Sequence, residues 1–197
     1  MQDINIDLLP ANRQTLTEYS TIPISFEVKS IYKIELIAGG LGGIRLTEEP
    51  VSEPYIKDYD ARDGEGPTRW LSGFDTSNWV ILLARRGNIV VGGAVIVAFS
   101  PEIHMLKGRN DLATVWDLRV RPEFRRQGMG TEVFRRAAKW AKEKGCRQLA
   151  VETQNVNVSA CKFYRKHGCA LGEINRFQYA SNPSIAHEVM LVWYLDL

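Results

Sequence analysis

With 25 Lys and Arg against 23 Asp and Glu over 197 residues, the chain carries a net charge of +2 and ordinary globular composition. That length suits one well-buried core of common domain size with room for an extra element, and no apolar run approaches the roughly 20 residues needed to cross a bilayer. The N-terminus lacks the basic-then-apolar pattern of a signal peptide, so the expectation is a single soluble, cytoplasmic domain over 1–197 with no membrane partner.

In chain order, Ser25 to Leu46 alternates apolar and polar positions around Phe26, Val28, Ile31, Ile34 and Leu36. Glycine pairs at Gly39-Gly40 and Gly42-Gly43 break it, which predicts one or two strands. Thr47 to Ser77 turns acidic and rich in Gly and Pro and reads mostly as loop near a ligand opening, with room for a short helix. Asn78 to Arg85 and Ile89 to Phe99 are rich in Val, Ile and Leu, and the Arg86-Gly87-Asn88 turn makes them a hairpin. Leu112 to Val120 is the next strand, ended by Pro122. Gly128 then opens a helix with the apolar stripe Val133, Phe134, Ala137, Trp140 and Ala141, stopped at Gly145. Gln148 to Thr153 is a short strand, Asn157 caps a helix over Val158 to His167, and two strands follow near Ala170 to Tyr179 and His187 to Leu195. Strands interleaved with helices in this order define an α/β class, a mixed sheet flanked by helices, with the parallel pair around the first long helix.

The most informative segment runs from Asp117 to Thr131, a strand entering a basic turn, two glycines and a helix start. A helix start leaves four N–H groups without partners and carries about half a positive charge, so such a turn can wrap a pyrophosphate with main-chain donors. Gly128 and Gly130 let the backbone approach, having no Cβ. Charge is polarised to match. Arg119, Arg121, Arg125, Arg126, Arg135, Arg136, Lys139, Lys142, Lys144 and Arg147 concentrate around this turn and its helix. Glu48, Glu49, Glu53, Asp58, Asp60, Asp63 and Glu65, facing only Lys57 and Arg62, form an acidic stretch able to attract a cation. The basic run lacks interleaved stacking aromatics, which argues against a nucleic-acid partner. Cys146, Cys161 and Cys169 are odd in number without a Cys-x-x-Cys pair, and His104, His167 and His187 are scattered, so no disulfide framework and no metal site is expected. In open sheets of this kind ligands bind beyond the C-terminal ends of the strands, here around Val120 and Thr153.

The order of strand, Arg125-x-x-Gly128-x-Gly130, helix, strand, Asn157 and Phe163-Tyr164-x-Lys166-x-Gly168 resembles the GNAT acetyltransferase superfamily over roughly Asn78 to Leu197. More narrowly, Glu53-Pro54-Tyr55-Ile56-Lys57, Glu152-Thr153-Gln154, Ala160-Cys161-Lys162-Phe163-Tyr164 and Trp193-Tyr194-Leu195 are similar to the streptothricin acetyltransferases. The resemblance implies a mostly antiparallel, twisted sheet with an acyl-CoA cleft at splayed central parallel strands. It makes 78–197 the core, and 1–77 the N-terminal strands with an acidic acceptor-side loop. By the same resemblance the main chain of Arg126, Gln127, Gly128, Met129, Gly130 and Thr131 holds the acetyl-CoA pyrophosphate, and Arg125 belongs to the cofactor site. The edge at Leu118, Arg119 and Val120 pairs with the pantetheine arm, and Asn157 hydrogen-bonds it. Trp116 departs from the pattern, which leads one to expect a second carboxylate beside Asp117.

Amide formation from a thioester needs a neutral amine, yet an alkylammonium with a pKa near 10.4 is deprotonated in roughly one molecule per thousand at neutral pH. A carboxylate must take the proton, and Glu152 or Asp117 is the candidate base. Tyr164 follows Asn157 by seven residues, two helical turns, and is the candidate acid for the departing thiolate. A backbone N–H near Val120 would polarise the thioester oxygen. The expected reaction is acetyl transfer to a primary amine of a small cationic acceptor, with the β-lysine amine of streptothricin foremost. Another aminoglycoside-like compound, a polyamine or a protein lysine is the alternative acceptor, and a non-catalytic acyl-CoA-binding module the alternative function. A sheet edge and an apolar final strand allow a homodimer.

Overall fold

The computed structural model describes residues 4–61 and 66–197. In chain order the elements are β1 (Ile4–Pro10), α1 (Arg13–Ser20), β2 (Phe26–Leu36), β3 (Ile44–Lys57), α2 (Trp70–Gly73), β4 (Trp79–Arg86) and β5 (Ile89–Ala98). They continue with β6 (Leu112–Val120), α3 (Met129–Glu143), β7 (Gln148–Gln154), α4 (Val158–Lys166), β8 (Ala170–Asn175) and β9 (Met190–Asp196). The chain divides into two compact units, one of Met1–Ser25, Asp58–Val151 and Leu195–Leu197, the other of Phe26–Lys57 and Glu152–Tyr194.

The first unit is a mixed sheet in the order β1-β4-β5-β6-β7. The β1/β4, β4/β5 and β5/β6 ladders are antiparallel and β6/β7 is parallel. β4 and β5 are almost wholly apolar because both faces of the sheet are covered. α3 lies against β4, β5 and β6 and buries Met129, Val133, Phe134, Ala137, Trp140 and Ala141, the stripe that helical spacing predicts. α1 is nucleated by a capping box in which Asn12 and Thr15 satisfy each other's N–H groups, and it buries Leu16 and Tyr19. Gly93 makes room for that helix. A Cβ there would stand 2.3 Å from the Leu82 carbonyl oxygen and 3.0 Å from the Tyr19 ring. Tyr19, Trp70, Phe74, Trp79 and Trp116 form one aromatic cluster in tilted and edge-on contacts.

In the second unit β2 and β3 form a long antiparallel ribbon. This corrects the reading of Thr47 onward as loop, since β3 runs from Ile44 through Lys57. The physical reason lies in Pro50, Pro54 and the acidic side chains, which depress strand propensity. In a two-stranded ladder each strand has one partner only, so prolines and charges are tolerated there. Two of the acidic residues are paired: Glu48 accepts from Ser30 (2.8 Å) and pairs with Lys162 of α4 (2.6 Å), and Glu49 pairs with Lys33 across the ribbon (3.2 Å). Arg62, Asp63 and Glu65 of that acidic stretch lie outside the described residues. In the first unit α2 supplies the short helix for which the sequence left room. β8 and β9 pair antiparallel, Ala170 opposite Tyr194 and Asn175 opposite Met190. β8 ends at Asn175, short of Tyr179, because Asn175 Oδ1 accepts from the Phe177 N–H and turns the chain.

The cysteines are buried and free. Burial pushes the Cys161 thiol up to about 12 and Cys169 up to about 11, and raises Cys146 as well. At pH 8 the thiolate is then only about one part in ten thousand at Cys161 and one in a thousand at Cys169. Native protein is expected to resist iodoacetamide at pH 8 and to take up the label only in denaturant, as intact-mass measurement would show.

Candidate active site

β6 builds the first part of the site. Its parallel ladder with β7 pairs Leu112–Val115 with Gln148–Val151 and stops there, while β6 runs on to Val120 beside β5 alone. The β5/β6 register slips so that Val95 faces Asp117 and Ile96 faces Val115, which leaves Trp116 as a bulge. The bulge turns the Trp116 ring into the aromatic cluster, 5.1 Å from Trp79 and 5.2 Å from Phe74. Trp116 therefore packs into the aromatic cluster where the resemblance led one to expect a carboxylate.

Beyond β6 the chain makes a single 3₁₀ turn at Pro122–Phe124 and then enters the left-handed region twice, at Arg126 (φ 64°) and Gly128 (φ 87°), before α3 begins at Met129. No side chain caps α3, and a Cβ built on Gly128 would find nothing within 4 Å. Space is thus open at Gly128, next to the N–H groups with which α3 begins. A cavity of about 370 Å³ between β1 and the first turns of α3 is lined by Ile4, Ile6, Gln127, Gly128, Met129, Glu132 and Arg136. Gly130 and Thr131 follow in the first turn. Arg125 has a different task. Its Nε donates to the Val120 carbonyl (2.9 Å) and its Nη2 to the Ser25 carbonyl (3.1 Å), and burial lowers its pKa. It staples the turn to the strand end. Arg126 and Gln127 are exposed.

Asp117 and Arg119, two apart on β6, share a face and meet. The Arg119 side chain is 1% exposed and forks twice. Nε and Nη2 bind the two Asp117 oxygens at 2.9 Å each, and Nη1 and Nη2 bind Asp60 at 2.5 and 2.8 Å. Nη1 also donates to the Ile22 carbonyl, and Tyr19 Oη donates to Asp117 Oδ1 at 2.5 Å. Burial by itself would lower the Arg119 pKa, but Asp117 and Asp60 outweigh it and the net shift is upward. The Tyr19 pKa is raised, first by burial and then by the Asp117 charge. Both Asp117 oxygens are thus engaged by donors. Sequence reasoning assigned Arg119 by its backbone and missed Tyr19 and Asp60; the Asp-x-Arg alternation was the available signal.

In the second unit Glu152 and Gln154 lie on the end of β7, with the Tyr179 hydroxyl donating to Glu152 Oε1 (2.7 Å) and accepting from Gln154 Nε2 (2.8 Å). Asn157 caps α4, its Oδ1 accepting from the Ala160 N–H at 3.1 Å. Tyr164 projects from the buried face of α4, edge-on to Phe163. Among the described residues no group of three or more His, Cys, Asp or Glu is placed to hold a metal ion, and no helix is long and apolar enough to cross a membrane.

The chain belongs to the acetyltransferase (GNAT) family, whose model matches residues 44–169. It is accordingly an N-acetyltransferase that uses acetyl-CoA. Among its relatives, streptothricin acetyltransferase A of Bacillus subtilis is 31% identical over 148 residues, 75% of this chain and 77% of that one. Streptothricin acetyltransferase of Escherichia coli is 35% identical over 169 residues, 86% of this chain and 84% of that one. Among solved structures, a Bacillus anthracis protein described as a streptothricin acetyltransferase, in complex with acetyl coenzyme A, superimposes with a TM-score of 0.74. It is 27% identical, over all of this chain and 98% of that one.

Proposed function

We propose that this enzyme acetylates a primary amine of a small cationic acceptor, with the β-lysine amine of streptothricin as the substrate. The observation that carries the reading is the uncapped, outward-facing start of α3 at Gly128 in a chain whose curated relatives of similar length bear that activity in their names. Acetyl-CoA supplies the activated acyl group. The main-chain N–H groups of Arg126 to Thr131 hold its pyrophosphate, and the edge of Leu118 to Val120 takes the pantetheine arm and offers an N–H to the thioester oxygen. The Asn157 side-chain oxygen caps α4, and its amide nitrogen is the group we propose donates to a pantetheine carbonyl.

Glu152 is favoured over Asp117 as the base. Asp117 has both oxygens already engaged, by two guanidinium N–H groups of Arg119 and by the Tyr19 hydroxyl. Glu152 takes the ammonium proton directly or through a water, the amine forms the new C–N bond, and the C–S bond breaks. Tyr164 gives its phenolic proton to the departing sulfur, leaving amide and CoA thiol.

Tyr164→Phe is expected to lower kcat about 100-fold with little change in the KM for acetyl-CoA, since it removes a proton donor and no binding group. Unchanged kcat would remove Tyr164 from this role. The acceptor is tested by CoA thiol release with streptothricin, a polyamine and a lysine peptide side by side. Release with streptothricin alone supports the proposal; preference for another amine, or tight CoA binding without turnover on any, overturns it.

A further inference from the structure

We infer that Tyr179, with Gln154 behind it, is a positioning residue for the Glu152 carboxylate; the inference rests on the proposed role of Glu152 as base. Glu152 and Gln154 are two apart on β7 and so share a face, while Thr153 between them is buried on the other. Tyr179 reaches them from the connection between β8 and β9 and bridges both. The bridge has one sense only. Gln154 donates from its amide nitrogen to the phenol oxygen, so the single phenolic proton is committed to Glu152 Oε1. With Oε1 fixed, rotation about the last side-chain bond of Glu152 is arrested, and the direction of Oε2 is set. A donor whose own oxygen is accepting a hydrogen bond is also polarised, which strengthens its bond to the carboxylate.

The segment that carries Tyr179 is itself tied down. Asn182 N–H donates to the Tyr179 carbonyl (2.9 Å), Ala180 N–H to the Phe177 carbonyl (3.1 Å) and Ile185 N–H to the Asn182 carbonyl (3.0 Å). At its far end Val189 and Asn155 exchange hydrogen bonds, Val189 N–H to Asn155 Oδ1 (2.9 Å) and Asn155 N–H to the Val189 carbonyl (3.0 Å). Asn155 lies three residues beyond Glu152, so the phenol is anchored to the strand it serves. The buried ion pair of Lys57 with Glu188 holds the same end. A tyrosine needed only to fill space requires none of this directionality.

The test compares Tyr179→Phe, Gln154→Met, Glu152→Ala and the two double variants that combine Glu152→Ala with Tyr179→Phe or with Gln154→Met. All are assayed in steady state with acetyl-CoA and streptothricin or, should streptothricin not react, the polyamine or lysine peptide that does. Tyr179→Phe is expected to lower kcat about 10-fold while the KM values of both substrates stay within about twofold, and Gln154→Met to lower kcat by a smaller factor. Tyr179→Phe should cost nothing further in the Glu152→Ala background, because its effect passes through the carboxylate. Wild-type kcat in Tyr179→Phe, or losses that multiply in the double variant, overturns the inference. If Tyr179→Phe fails to fold by circular dichroism, Gln154→Met decides. It supports the inference if its kcat loss vanishes in the Glu152→Ala background and overturns it otherwise. Wild-type activity in Glu152→Ala would sink the base reading and the inference together, whereas an impaired Glu152→Ala beside an unaffected Tyr179→Phe sinks the inference alone.

Discussion

Gly128→Glu is expected to weaken acetyl-CoA binding by about 100-fold or more, with no change in the secondary structure of the folded chain. Two costs combine. The residue sits at φ 87°, which side chains bearing a Cβ rarely adopt, so the turn must shift and the donors at the start of α3 move with it. The new carboxylate also projects into the open space where the pyrophosphate is to sit, and like charges at such range cost several kcal/mol, each 1.4 kcal/mol being tenfold in affinity. Gly128→Ala separates the two, retaining the strain and lacking the charge, and should fall between wild type and Gly128→Glu. Equal affinity for acetyl-CoA in all three chains would remove Gly128 from the binding site.

The second large effect is on stability. Arg119→Met is expected to destabilise the fold by about 3–5 kcal/mol, the range found when one partner of a buried ion pair is deleted. Met matches the aliphatic stem, so packing loss is small, and the cost is electrostatic. Asp117, with a side chain 7% exposed, would keep Tyr19 as a donor but lose both guanidinium bonds, and Asp60 would lose its anchor to β6. For a chain of this size such a loss lowers Tm by about 10 °C. Arg119→Lys should rescue only part, because one ammonium cannot fork to two carboxylates. A Tm within about 2 °C of wild type for Arg119→Met would show that the network contributes little net stability.

Where local sequence carries the physics, the reading and the structure agree. The β4/β5 hairpin, β6, the Gly128 turn, the α3 stripe and the Asn157 cap are each specified within about ten residues by alternation, a glycine or a capping side chain. The ribbon strand β3 was hidden because its prolines and glutamates speak against a strand, and only a strand with one partner escapes that penalty. The N-terminal β1 and α1 went unread. The Ile4, Ile6, Leu8 alternation is short, and α1 shows only Leu16 and Tyr19 as apolar positions, so its stability comes from the Asn12 capping box and tertiary burial. At the candidate site, the Gly128 turn and the start of α3 were legible because they are contiguous. The partners of its acidic residues were not, since Arg119 meets Asp60 across 59 positions and Glu152 meets Tyr179 across 27. Such pairings are products of topology, and no spacing rule in one sequence announces them.

Calorimetric titration of the purified chain with acetyl-CoA, at fixed ionic strength and without any amine, tests the central claim most directly. The account predicts saturable heat at one site per chain in the wild type, lost in Gly128→Glu while the fold persists. No heat from the wild type, or heat that Gly128→Glu leaves unchanged, would contradict it.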